Sequence, residues 1–179
     1  MKALLPRSLL ALLTLTLTAA GCGDALAFEV NAAVEEFKVP GDPELFHLGA
    51  PLDEGQVPPI PISLSGLSRG SITVVALRFF SLPTVAEDGT LTDGLDFLHH
   101  VDVIVEPTRA SSTLPRRRLG IWTGPAKPGT NSLPMVVDPT FDLRPYAQDG
   151  FQLRIGTGGL VPYGDVTIKG EMRLRINPL

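Results

Sequence analysis

The feature that most restricts this chain is a period-two alternation of apolar and polar side chains, in short runs that proline and glycine interrupt. The clearest run lies near the C-terminus. Val166, Ile168, Met172, Leu174 and Ile176 share one parity, and Thr167, Lys169, Glu171, Arg173 and Arg175 share the other. Successive side chains of a strand point to opposite faces, so this run predicts a strand with one face on a core and one in water. Phe28, Val30, Ala32 and Val34 alternate in the same way, but the phase then shifts, because Phe37 and Val39 are apolar on odd positions. A β-bulge near Glu35 and Glu36 would produce that shift.

Further strands follow from the same rule. Ile60, Ile62 and Leu64 make a short piece that Pro61 assigns to a sheet edge. Residues 71–82 are apolar on both parities, as suits a central strand. Val101, Val103 and Val105 alternate with Asp102, Ile104 and Glu106 until Pro107. In 117–123, simple parity puts Leu119 and Ile121 on one face and Arg118, Gly120 and Trp122 on the other. Residues 133–137 form a short strand, and Phe151, Leu153 and Ile155 alternate with Gln152 and Arg154. Residues 40–59 and 156–164 read as loops. Asp93 is placed to cap a helical turn over 95–98, and Asp142 to cap one through Leu143 and Tyr146.

About eight strands between turn signals predict an all-β fold, a single antiparallel β-sandwich over residues 28–179. The pattern resembles immunoglobulin-like or LEA-type sandwich domains, although no Cys–Trp–Cys core is available. A membrane β-barrel fits less well. It wants strands of about 9–11 residues and aromatic girdles, whereas the chain has 8 Phe, 1 Trp and 2 Tyr and many prolines.

The first segment has a different character. Lys2 and Arg7 precede an uncharged, leucine-rich stretch that ends at Asp24, too soon for a membrane span of roughly 20 residues. Leu17, Thr18, Ala19, Ala20 and Gly21 lead into Cys22, the single cysteine of the chain. This run closely resembles the lipobox of bacterial lipoproteins, with Ala19 where leucine is commoner. The resemblance implies a signal peptide over 1–21 and cleavage before Cys22. Residues 22–27 would then be a lipidated N-terminus and short tether. Cys22 would carry a diacylglyceryl group and usually an amide-linked acyl chain, and two or three chains make attachment effectively permanent. If the cell is Gram-negative, Gly23, standing where an Asp would retain the protein at the inner membrane, favours the outer membrane.

Removing the signal peptide leaves 158 residues, enough for one domain with a real core. It takes two of the 15 Lys+Arg and none of the 19 Asp+Glu, so the mature formal charge is −6. An acidic chain gains nothing from a phosphate backbone, which argues against a nucleic-acid partner. With Cys22 acylated, no disulfide is expected.

Candidate sites are sparse. Arg116, Arg117 and Arg118 form the one basic cluster, and Trp122 follows on the same strand. Parity puts Trp122 beside Arg118, a pair that could bind a sugar, a polysaccharide or a protein partner, with core packing the plainer role for the tryptophan. Asp88, Asp93 and Asp96 crowd a loop with Gly89 and Gly94, yet their spacing does not match an EF-hand, so they are weak calcium candidates. His47, His99 and His100 read as structural or solvated. No G-x-S-x-G, H-E-x-x-H or paired-cysteine motif occurs, and no catalytic residue or cofactor is expected. The sequence therefore predicts an envelope lipoprotein held to a membrane through Cys22, whose non-catalytic sandwich binds or supports another envelope component. A sandwich binding carbohydrate, lipid or calcium is the alternative, and a hydrolase the third.

Overall fold

The structure is a computed structural model. It describes residues 27–52, 57, 59–62, 70–85, 89, 91–92 and 94–178. The signal segment and Cys22 lie outside the described residues, as do Leu64, Asp88 and Asp93.

Two antiparallel sheets face each other across an apolar core. The first sheet holds β1 (Phe28–Val39), β11 (Val166–Asn177), β3 (Ser71–Leu82) and β8 (Ser132–Pro134), in that order. The second holds β2 (Ile60–Ile62), β10 (Phe151–Gly159), β6 (Leu98–Pro107), β7 (Arg117–Thr123) and β9 (Val136–Val137). A two-stranded ribbon, β4 (Thr84–Val85) and β5 (Leu91–Thr92), extends from the end of β3. The chain is an all-β sandwich.

The long strands follow the alternation rule closely. In β11, Val166, Ile168, Met172, Leu174 and Ile176 are buried, while Glu171, Arg173 and Arg175 are exposed. Gly170 keeps the same inward parity. It stands in register between Val34 of β1 and Phe79 of β3, and a Cβ there would lie 2.8 Å from both side chains. The missing side chain is what admits the Phe79 ring, which meets Phe37 edge-on with centroids 6.0 Å apart. The bulge expected in β1 is present. Its register with β11 slips between Val34 and Phe37, which restores Phe37 and Val39 to the core. β3 is central, and β2 pairs on one side only, with β10.

Four local expectations are corrected. First, 133–137 is not one strand. Leu133 pairs with Phe79 in the first sheet and Val136 with Ile121 in the second, while the Met135 N–H donates to Leu77 O at 2.9 Å. The segment thus crosses between sheets and closes one edge of the sandwich. Second, β10 continues through Gly156, Thr157 and Gly158 to Gly159, where a loop was expected; pairing with β6 keeps these residues in the sheet. Third, 95–98 is a β-turn closed by Leu98 N–H to Leu95 O at 3.0 Å, and Leu98 already belongs to β6. Fourth, 40–59 is not all loop, because it includes α1 (Pro43–His47). The turn after Asp142 does form, as α2 (Arg144–Asp149), and the Asp142 carboxylate accepts from both Arg144 N–H and Ile72 N–H at 2.9 Å.

Candidate functional site

Two surfaces gather chemically active or unusually exposed side chains. The first is the outer face of the second sheet. On β6, the residues opposite in parity to buried Val101, Val103 and Val105 are His100, Asp102, Ile104 and Glu106. β10 on one side supplies Gln152 and Arg154, and the start of β7 on the other supplies Arg118, with Arg116 just before the strand. Glu106 is buried, and its side chain retains only 6% exposure. It is held by Arg116 Nε at 2.8 Å, Arg154 Nη2 at 3.1 Å and Gln152 Nε2 at 2.7 Å. Burial alone would raise its pKa. Hydrogen bonds from Arg154 and Gln152 and the charges of both arginines outweigh burial and hold the carboxyl below its ordinary value.

Asp102 makes a second knot. His100 Nε2 lies 2.5 Å from its Oδ2, and Arg118 Nε lies 2.7 Å from its Oδ1. The arginine is off the hydrogen-bond direction, so this buried oxygen has an ionic neighbour and no aligned donor among the described residues. Across the ladder stand Gly156, opposite Asp102, and Gly158, opposite His100. These mixed charges can bind polar or charged groups at their rim. Thr123 of β7 stands opposite His100 in the ladder, and the described residues contain no group of three metal-ligating side chains.

The expected pairing of Arg118 with Trp122 is overturned. A bulge in β7 makes Gly120 the partner of Val103 and Arg118 the partner of Ile104, with Leu119 as the extra residue. Leu119 and Gly120 are both buried, and the parity beyond them is reversed. Arg118 and Ile121 therefore share the outer face, whereas Trp122 registers with buried Val101 and packs against the core. Arg116 and Arg118 do share a surface, and Arg117 between them lies on the side of Tyr146. Burial raises the Tyr146 pKa, against the lowering effect of the Arg117 charge, and its hydroxyl donates to Pro115 O at 2.6 Å. Asp96, the calcium candidate within the described residues, is exposed in the turn before β6. His99 is exposed at a register slip in β6, and His100 stands in the strand, not at a helix end.

The second surface is one end of the sandwich, built by residues 40–52 and 159–165. Sequence reading gave no signal for it. α1 is capped by Asp42, whose Oδ1 accepts from Glu44 N–H at 2.8 Å and Leu45 N–H at 3.0 Å. The segment is tied to the opposing loop by Asp42 N–H to Pro162 O at 3.0 Å, Val161 N–H to Ala50 O at 2.9 Å and Gly41 N–H to Asp165 Oδ1 at 3.0 Å. Gly41 is required here, because a side chain on it would collide with the Gly164 backbone. Yet α1 buries none of its residues. Leu45, Phe46, Leu48 and Leu160 are exposed, Leu48 by 78%. Phe46, His47 and Tyr163 meet edge-on, with ring centroids 5.6–6.0 Å apart.

A shallow depression of 350 Å³ lies at the other end, between residues 111–114 and α2. Its one carboxylate, Asp149, is engaged by Arg109 at 3.2 Å. No family's sequence profile matches the chain, and no curated protein is significantly similar to it.

Proposed function

We propose that this protein is a lipid-anchored module of a bacterial cell envelope, whose sandwich binds another envelope component without catalysing a reaction. One observation carries the reading: the two ends of β1 differ in kind. β1 begins at Phe28, six positions after Cys22, so an acylated Cys22 would hold that end of the domain close to a bilayer. Twelve residues later, about 40 Å away at about 3.3 Å per residue, the chain enters the exposed apolar end around α1. A tether at one end and uncovered leucine and phenylalanine at the other suit a post that presents a docking surface. His100 is bound to Asp102 on an open sheet face, His99 is exposed, and His47 stacks on Phe46 and Tyr163.

The anchor is tested by Cys22→Ala in the full-length precursor. The expected result is loss of membrane retention on fractionation, with the sandwich still folded by circular dichroism. Retention equal to the parent's, or an unmodified Cys22 thiol in the mature parent by mass spectrometry, would overturn the reading.

A further inference from the structure

The connection between β6 and β7 is longer than a hairpin needs. Nine residues, 108–116, join these antiparallel neighbours, where about two to five are usual. The excess is ordered. At its start, the Thr108 N–H donates to Gly150 O at 3.0 Å, and Arg109 Nη1 donates to Asp149 Oδ1 at 3.2 Å. At its finish, the Tyr146 hydroxyl donates to Pro115 O. Both pins fasten the connection to α2 and the residue after it. Between them, the Ser112 N–H closes a turn onto Arg109 O at 3.0 Å, and the Leu114 N–H donates to Ser112 Oγ at 3.3 Å. Residues 111–114 stand off from Pro145, Gln148 and Asp149, and the gap is the depression of 350 Å³. That volume lies within the range of small-molecule sites, and a rim fixed at both ends lowers the ordering cost of binding.

The lining selects the ligand. Ser111, Ser112 and Thr113 bring hydroxyls, and Gln148 brings an amide, groups that both donate and accept hydrogen bonds. Leu114 and Pro145, each half-buried, add a small apolar patch. An anion finds no lysine or arginine in the lining. Of the neighbouring arginines, Arg109, Arg116 and Arg144 are engaged by Asp149, Glu106 and Asp142, and Arg117 lies beside Tyr146. A metal ion finds one carboxylate, already paired, and no group of three ligands among the described residues. A protein partner finds no aromatic or deep apolar anchor. A neutral ligand that is hydroxyl-rich on its edges and apolar on its C–H faces fits what remains. We propose that the depression holds one unit of a neutral saccharide, with hydrogen bonds from residues 111–113 and Gln148 and its C–H face on Leu114 and Pro145. The depression lies at the end where β1 starts. Phe28, Ile176 and Ile72 share a register row, and Ile72 bonds to Asp142 and Leu143 just before α2. On the anchored-module reading, on which this placement rests, the saccharide is one carried close to the bilayer.

The test is an NMR titration of the isotope-labelled mature chain, as its cells make it, in a sugar-free zwitterionic detergent. The probes are the neutral trisaccharides chitotriose and maltotriose. The expected result is saturable movement of the backbone amides of Ser111, Ser112, Thr113, Leu114, Gln148 and Asp149 with at least one of them. The amide of Glu171, exposed on β11, should stay in place. Gln148→Ala should weaken the binding about fivefold, the effect of losing one hydrogen bond, and Glu171→Gln should leave it unchanged. Both positions are exposed, so both variants should fold, and circular dichroism checks this. Ser111→Ala, in the exposed part of the connection, gives the same reading should Gln148→Ala disturb α2. Sodium sulfate at the same concentration should move none of these amides. No saturable movement with either sugar, movement centred elsewhere, an affinity indifferent to the substitutions, or equal movement with sulfate would each overturn the proposal. The titration asks nothing of Cys22. A chain with an unmodified Cys22 that still binds sugar here refutes the anchor alone, and an acylated chain that ignores both sugars refutes the saccharide site alone.

Discussion

Each sheet carries, on its outer face, a carboxylate gripped by two arginines, and the two grips differ. Glu29 lies near the start of the edge strand β1, with Arg175 Nη2 at 2.9 Å and Arg173 Nε at 3.4 Å, and its side chain keeps 32% exposure. Glu106 lies on β6, between β10 and β7, with its side chain at 6% exposure and Gln152 as a third partner. Water competes for Glu29, so its ion pairs gain little over solvation. Glu106 has little access to water, so its hydrogen bonds replace those it loses. The same pair of residue types thus acts as surface decoration on an edge strand and as a structural knot on a central one.

The comparison is broken most directly by Glu106→Ala. Its arginine partners are 42% and 67% exposed and would stay solvated, which keeps the loss below that of a fully buried ion pair. We expect about 1.5–3 kcal/mol of destabilisation in urea unfolding, the range for hydrogen bonds to a charged group. A loss no larger than that at Glu29 would show that the two grips are equivalent.

Acid sharpens the contrast. The folded-state pKa of Glu106 lies below its ordinary value of 4.5, so the folded protein binds this proton less readily than the unfolded chain. The stabilisation is therefore complete above that ordinary value and is lost as pH falls through it towards the lower folded value. Unfolding measured from about pH 7 down to about pH 3 should show the parent's advantage over Glu106→Gln shrinking across this window. A constant difference would remove Glu106 ionisation as its source. The smallest effect is expected from Glu29→Ala, a loss of about 0.2–0.5 kcal/mol that should diminish further in high salt.

The sequence revealed structure best where burial and alternation coincide. β11 and the bulge in β1 were both legible, the latter because Phe37 and Val39 break the phase of Val30 and Val34. The bulge in β7 was not legible. It falls at Leu119 and Gly120, and a glycine has no side chain to betray which face it occupies. For the same reason Gly156, Gly158 and Gly159 read as a loop, although the β6 ladder makes them strand. Half of the charged face was visible, because Arg116 and Arg118 form an obvious cluster. Their partners Asp102, Glu106 and Arg154 come from other strands, and cross-strand register has no signature in a local run of residues. The α1 end gave no warning at all, since its proline, glycine and leucine spacing is that of any surface connection.

Period-two patterning and the rarity of helical spacing were enough to determine that this chain forms strands, where most of them begin and end, and which parity of the long ones faces the core. Both follow from local geometry, because alternate side chains of a strand must part to opposite sides. Which residues meet across strands was decided only by the assembled sandwich. Register, bulges and the crossing of residues 132–137 between sheets arise from contacts between segments far apart in the chain. Those contacts turn Trp122 inward, bury Glu106 beneath its arginines and leave Leu48 in water.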